Sequence, residues 1–314
     1  MLRYALSLPV LPVLPVLPVF PVLAVLAVLG IGCAATSPQP RRTEVPPEAT
    51  LPCFPGAYYR KAVSSVDRWT GLDAVIVLPT PTFDPNRRRP ANPAQFLDNP
   101  SVYVGGRWGA DRAAEGREVD AGLTWEVVRL PDGRVSADRR AFRPFWRTAK
   151  WHSAPAHPSL YFYPGDTVRI SIITPERDKL LLRISLLSRG PSGLAASALY
   201  PTPSAPPTLP PGVSTPQPNT LEVTFDAPGF DPNGVQEFKR VNAIDQVGRE
   251  GNAVDPTTTT VVLAEWKRVH LLRGNDRLPF TPSRFTDMRC PATTNVSVTP
   301  LPDGGEKITL RGAP

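Results

Sequence analysis

The chain has 314 residues, among them 41 prolines, three cysteines and three histidines, and its 35 basic and 28 acidic side chains leave a formal charge of +7. That length holds one large domain or two smaller ones. The basic excess is scattered, with one run at Arg87-Arg88-Arg89, so it lacks the basic stripe with interleaved aromatics of a nucleic-acid binder.

Only Arg3 carries a charge before Arg41, and Val22 to Gly32 is an unbroken run of apolar and small residues. A basic start, an apolar stretch and small residues at its end mark residues 1–32 as an export signal. Pro9, Pro12, Pro15, Pro18 and Pro21 recur at every third position, which excludes a regular transmembrane helix there. The junction resembles a lipoprotein signal, which implies that Cys33 becomes a lipidated first residue and anchors the protein to a membrane. An ordinary cut near Ala34-Ala35 would instead release a secreted protein. Both routes lead outside the cytoplasm. Residues 33–52, rich in Pro, Thr, Glu and Arg, read as a disordered tether.

From Cys53 to the end, helix signals are nearly absent. Short runs of Val, Ile, Thr, Tyr and Phe alternate with Pro, Gly, Asn and Asp clusters, predicting strands at Ala57 to Ser65, Leu72 to Leu78, Ser101 to Val104, Glu118 to Leu130, Ala141 to Lys150 and Leu160 to Tyr163. Further strands are predicted at Thr167 to Thr174, Lys179 to Ser188, Thr220 to Asp226, Phe238 to Ile244, Thr258 to Leu272, Asn295 to Thr299 and Lys307 to Leu310. The spacing by threes of Phe238, Val241, Ile244 and Val247 also admits a helical turn, and the polar density of this run has no evident reason. Residues 190–219 carry nine prolines and read as a loop extruded from one domain rather than an interdomain linker.

Several runs alternate with period two. Val119, Ala121, Leu123, Trp125 and Val127 share one face, and Glu118, Asp120, Gly122, Thr124 and Glu126 the other. Leu180, Leu182, Ile184 and Leu186 alternate in the same way, as do Val168, Ile170 and Ile172, and Leu221, Val223 and Phe225. About a dozen strands with one dry and one wet face predict an all-β fold: an antiparallel two-sheet sandwich of concanavalin-like or jelly-roll type over residues 53–314. With Cys33 acylated, Cys53 and Cys290 are left to pair, as suits an exported protein. That disulfide would close a loop of more than 200 residues and stabilise by ~3–5 kcal/mol, mainly through the unfolded state.

Two resemblances follow from these residues. Glu118 and Asp120 resemble the first two acids of the Glu-hydrophobic-Asp strand in the laminarinase and lichenase glycosidases, which implies a nucleophile at Glu118. The third acid is missing from its place, and Glu126 lies roughly 20 Å further along an extended strand, beyond the carboxyl spacing that retaining hydrolysis needs. Val102-Tyr103-Val104-Gly105-Gly106, Glu118 to Trp125, Phe142 to Trp151 and Tyr163-Pro164-Gly165-Asp166-Thr167-Val168 occur in an order similar to the glutamic peptidases, also secreted sandwiches. That resemblance implies the fold and a related cleft. It puts Asp120 where those enzymes have a catalytic glutamine, and Glu222 and Glu265 are nominal candidates for their glutamate.

The site expected on physical grounds is the wet face of Glu118, Asp120 and Glu126, joined by Arg143, Trp146, Trp151, Tyr161, Tyr163 and Arg169 from neighbouring segments. Rings, carboxylates and guanidinium groups on one concave surface suit a glycan or an extended peptide. Asp231-Pro232-Asn233-Gly234 and Asp84-Pro85-Asn86 read as tight turns before calcium loops. His152, His157 and His270 are too scattered for zinc, so no metal or cofactor is expected. No phosphate loop, dinucleotide fingerprint or nucleophile elbow is present. The sequence therefore points to an exported, lipid-anchored, non-enzymatic binding protein, with a secreted hydrolase or a structural envelope lipoprotein as alternatives.

Overall fold

The structure, a computed structural model, describes residues 44–109, 118–129 and 132–314, with the backbone alone for 135–139. The expected export signal, Cys33 and residues 33–43 of the tether lie outside the described residues. Along the first half run β1 (Ala57–Ser64), β2 (Gly71–Val77), β3 (Thr80–Thr82), β4 (Arg88–Arg89), β5 (Asn92–Phe96), β6 (Asp98–Trp108), β7 (Glu118–Arg129), β8 (Val135–Arg147) and β9 (Trp151–Ser153). The second half has β10 (Thr167–Ile173), β11 (Lys179–Ser188), α1 (Pro191–Leu199), β12 (Val213–Ser214), β13 (Thr220–Asp226), β14 (Gln236–Gln246), β15 (Thr260–Arg273), β16 (Asp276–Pro279), β17 (Phe285–Cys290), β18 (Val296–Pro300) and β19 (Glu306–Arg311).

Two large antiparallel sheets form a sandwich. The first has the order β17-β1-β14-β6-β7-β8-β9, and the second runs β12-β13-β11-β10-β2-β15-β19-β18, with β3 and β16 also paired to β15. The alternating runs explain the layering. Val119, Ala121 and Leu123 of β7 meet Ile170 and Ile172 of β10, Leu180, Leu182 and Ile184 of β11, and Leu221 and Val223 of β13 in one buried cluster between the sheets. Burying each such side chain stabilises by about 1.5–3 kcal/mol. Cys53 and Cys290 form the expected disulfide, with Cα atoms 5.9 Å apart.

The structure corrects the sequence reading at several places. Leu160 to Tyr163 is no strand: Pro158–Leu160 is a 3-10 turn, and only a single bridge joins Phe162 to Phe142. Leu160 and Tyr161 donate back to the carbonyls of His157 and Pro158, and Tyr163 donates to the Asp166 carboxylate, so these N–H groups are spent locally rather than on a ladder. Residues 190–219 open with a helix rather than an irregular loop, because Pro191 stands at its first turn and an Ala-rich run follows. The helical turn considered at Phe238 to Val247 is instead β14, eleven residues held between β1 and β6. Phe285–Cys290, which has no apolar alternation, is an edge strand.

Candidate functional site

The first sheet turns its second face outward, and there a smaller cluster of Ala57, Tyr59, Val63, Tyr103, Phe145, Val241, Ala243, Met288 and Cys290 is buried with Leu51 packed against it. Something must cover this face, and it is the strap of residues 51–56. The disulfide fastens the strap to the end of β17. Phe54 stacks on Tyr59 of β1 with ring centroids 4.0 Å apart, and its N–H donates to the Tyr59 hydroxyl at 2.8 Å. Between this strap and the β8–β9 end lies a groove of about 740 Å³. On the far wall Trp151 stacks on Phe145 at 4.3 Å and remains 51% exposed. Each wall of the groove thus carries a stacked aromatic pair.

The floor is charged, and strand register explains how. Lys239 of β14 and Asp120 of β7 both stand opposite Gly105 of β6, so the lysine reaches over a position without a side chain. A Cβ on Gly105 would lie 1.9 Å from the Val119 carbonyl oxygen and 2.9 Å from Lys239 Cε. Lys239 Nζ sits 2.6 Å from Asp120 Oδ1 and also contacts Glu118 Oε1. Lys61 of β1 donates to the same Glu118 oxygen at 2.8 Å, and Arg147 Nη2 lies 3.5 Å from Asp120 Oδ2. At the other end of the floor, the Ser101 hydroxyl donates to Asp245 Oδ2 at 2.6 Å.

These contacts set the protonation states. The Lys239 ammonium, helped by Lys61, holds the Glu118 carboxyl well below the usual range against the opposing effect of burial. Burial alone would lower Lys239, but the carboxylates of Asp120 and Glu118 outweigh it and hold that lysine raised. Lys61 moves the other way, lowered by burial and by its neighbour Lys239. Burial pushes Asp245 up to about 6, opposed by Ser101 and aided by the charge of Asp120. Burial also pushes Tyr59 to about 12 and Tyr103 well above its usual value.

Of the nine residues expected at the site, Glu118, Asp120 and Trp151 lie in the groove. Glu126 and Arg143 form an ion pair in a smaller hollow of about 140 Å³ that shares Asn99, Trp151 and Val247 with it. The other four are elsewhere. Trp146 pairs with Ala121 and faces the core between the sheets, while the exposed His152 stacks against its ring. Tyr161 and Tyr163 are buried with Val128, Ala141 and Ala196 of α1. Arg169 belongs to the second sheet and pairs with Asp73. Lys239, Lys61, Arg147, Asp245, Phe145 and Phe54 were not anticipated. The polar density of β14 was the one sequence signal for Lys239 and Asp245.

The nominal glutamates do not approach Asp120: Glu222 on β13 and Glu265 on β15 belong to the second sheet, paired with Arg183 and Lys307. Asp231 and Asp84 cap turns, accepting from the N–H groups of Asn233 and Asn86. Among the described residues no group of three or more His, Cys, Asp or Glu side chains is placed to hold a metal ion.

No family model and no curated protein matches this chain. Among solved structures it is similar to scytalido-glutamic peptidase bound to a peptide-based transition state analog, at 7% identity and a TM-score of 0.42, over 81% of this chain and 98% of that one. A second structure of scytalido-glutamic peptidase, with a transition state analog inhibitor, gives 8% identity and a TM-score of 0.43 over 80% and 97% of the two chains. SCP-B, a member of the eqolisin family in a complex with a tripeptide, gives 8% identity and a TM-score of 0.38 over 82% and 98%. At this level the likeness concerns architecture and says nothing of chemistry.

Proposed function

We propose that this is an exported binding protein, anchored through Cys33, that holds a short extended ligand in the strapped groove and does not transform it. The observation that carries the reading is the pair of stacked aromatic walls, Phe54 on Tyr59 and Trp151 on Phe145, facing each other across a charged floor. Flat rings with one free face suit the apolar faces of sugar units, and Arg147, half exposed above the floor, supplies donors for ligand oxygens. A glycan therefore ranks ahead of a peptide. The disulfide fits an oxidising compartment, and the leader-like first 32 residues fit export. The test is retention on a glycan array and a peptide array. Trp151→Ala and Phe54→Ala should each weaken retention at least tenfold, while Trp146→Phe, in the core, should leave it unchanged. Equal retention by all variants would turn the reading towards a structural envelope protein.

One observation favours a hydrolase as second reading. Asp245 lines the same groove as Asp120, and its raised value beside an ion-paired acid is the kind of separation that acid–base catalysis uses. Against it, Glu118 and Asp120 share the Lys239 ammonium, which holds Glu118 ionised at rest. Turnover of a retained ligand near pH 5, lost in Asp245→Asn, would establish the hydrolase. A ligand recovered intact over the same interval would remove it.

A further inference from the structure

The groove floor holds Lys239 and Asp120 in an arrangement suited to more than an ion pair. Their two strands flank β6, and both residues stand opposite Gly105, so about two strand spacings, roughly 10 Å, separate their backbones. A lysine and an aspartate side chain together span that distance only when extended towards each other. Lys239 is 5% exposed and Asp120 14% exposed, with Nζ 2.6 Å from Oδ1. A buried ammonium and a buried carboxylate both carry a desolvation cost, repaid here only while Asp120 and Glu118 stay against Lys239. A neutral amide carries far less of it. Holding the two groups in contact also supplies the proximity that a bimolecular condensation in water lacks.

We propose that Lys239 and Asp120 condense to an intramolecular amide, a covalent stitch from β14 to β7 across β6. In the slow step, the Lys239 ammonium passes a proton uphill to Glu118, whose Oε1 contacts the same Nζ, against the preference of the resting ion pair. The neutral nitrogen attacks Asp120 Cγ, one bond beyond Oδ1. Arg147 Nη2, 3.5 Å from Oδ2, faces the oxygen on which negative charge develops. Glu118 then protonates the departing oxygen, and the second nitrogen proton leaves with it, so that ammonium and carboxylate become amide and one water with no change of charge. No oxidant, metal or co-reactant is needed. Gly105 keeps the path open, since a Cβ there would crowd Lys239 Cε. Lys61, although it shares Glu118, is on β1, one strand further from Asp120, and remains a free amine.

The experiment is a tryptic map of the folded, purified wild-type protein after reduction and denaturation. The expected species joins Glu118–Arg129 to the peptide from Gly190 to Arg240, lighter than their sum by one water, with no cleavage after Lys239. Recovery of both peptides separately at unmodified mass would overturn the proposal and leave an ion pair. Because this arm uses no variant, a folding defect cannot mask it. Asp120→Ala and Lys239→Met should each abolish the joined species. Glu118→Gln should abolish it while the disulfide-linked pair Cys53–Cys290 still forms, and a stitch that persists in Glu118→Gln would overturn the relay assigned to that carboxylate.

Discussion

Lys239 and Arg240 are neighbours on β14, yet their charges enter two different environments. Lys239 points to the groove, where Glu118 and Asp120 meet it and Glu118 is still 45% exposed. Arg240 points between the sheets. There Glu306 of β19 receives Arg240 Nη2 at 2.7 Å and Arg60 Nη2 at 2.9 Å, and all three side chains are 6% exposed or less. Phe280, Phe285 and Trp266 surround the Arg240 guanidinium at 5.7–6.0 Å from their centroids. Burial lowers Arg240 to about 10 in spite of Glu306. The inner cluster reaches solvent only through Asp287, 42% exposed, which Arg60 Nη1 contacts at 3.1 Å. The groove cluster has solvent on one side and can exchange partners with a ligand. A strand buried on both faces thus keeps charge on both, one side for cohesion and one for contact.

The largest test of that difference is Glu306→Ala. It leaves Arg60 and Arg240 buried with one carboxylate removed, and breaking such a buried network costs about 3–5 kcal/mol. Chemical denaturation should register the loss directly. Replacing Arg60, Arg240 and Glu306 together by Met, Met and Leu should recover most of it, because the apolar set needs no desolvation. If Glu306→Ala behaves like a surface substitution, the inner cluster is not the cohesive one.

Next comes the strap. Cys53→Ala with Cys290→Ala removes a link spanning 237 positions, for an expected loss of about 3–5 kcal/mol. The groove should suffer more than the core. Phe54, tied beside Cys53 and resting on Tyr59, would lose its fixed place, so ligand retention should fall in native buffer where the sandwich is still folded. Retention equal to wild type would show that the strap is not a wall of the site.

A smaller effect is expected from Gly105→Ala. The added Cβ collides with the Val119 carbonyl oxygen, and forcing a methyl into such a space costs about 1–3 kcal/mol. It also pushes against Lys239, so the contact between Lys239 and Asp120 should loosen while the inner cluster is unaffected. Thermal unfolding and the yield of the Lys239–Asp120 stitch should fall together.

How far the sequence revealed all this depends on what alternation can tell. It distinguishes in from out on a strand, and β7, β10, β11 and β13 obey it because one of their faces is wet. It does not say which sheet a strand joins, which is why Arg169, correctly outward, lies on the second sheet rather than by the groove. It is silent where aromatics occupy both parities, as in Phe142 to Trp146. There the register turns Phe145 to the groove and Trp146 to the core. It misleads where there is no strand, and Tyr161 and Tyr163 follow a turn under α1 instead of facing the site. On β14 both faces are buried, so no period could appear. The disulfide was legible because only two cysteines remained after Cys33, whereas the strap beside it had no pattern of its own.

The subtlest prediction contrasts two acids within the groove. Asp245, on the same strand face as Lys239, is raised by burial to about 6, so the folded chain holds its proton more firmly than the unfolded chain does. Stability from this group is therefore fully present below the usual carboxylate range and is lost as pH rises through about 6. Glu118 is lowered by Lys239, and its contribution has the opposite sign: present above the usual carboxylate value and lost as acid protonates it. Ser101 donates to Asp245, Arg147 and the charges of Asp120 and Glu250 also act on it, and an asparagine there keeps an acceptor for Ser101 without a charge. Asp245→Asn should match wild type near pH 4 and exceed it in unfolding midpoint near pH 7. Glu118→Gln, compared with its parent in an Asp120→Ala background that carries no stitch, should match it at low pH and fall below it near neutrality, by less than about 1 kcal/mol given its exposure. Curves that diverge in the same direction for both variants would mean that the two acids share one environment, and that the floor is a single charged patch rather than an ion-paired end and a protonatable end.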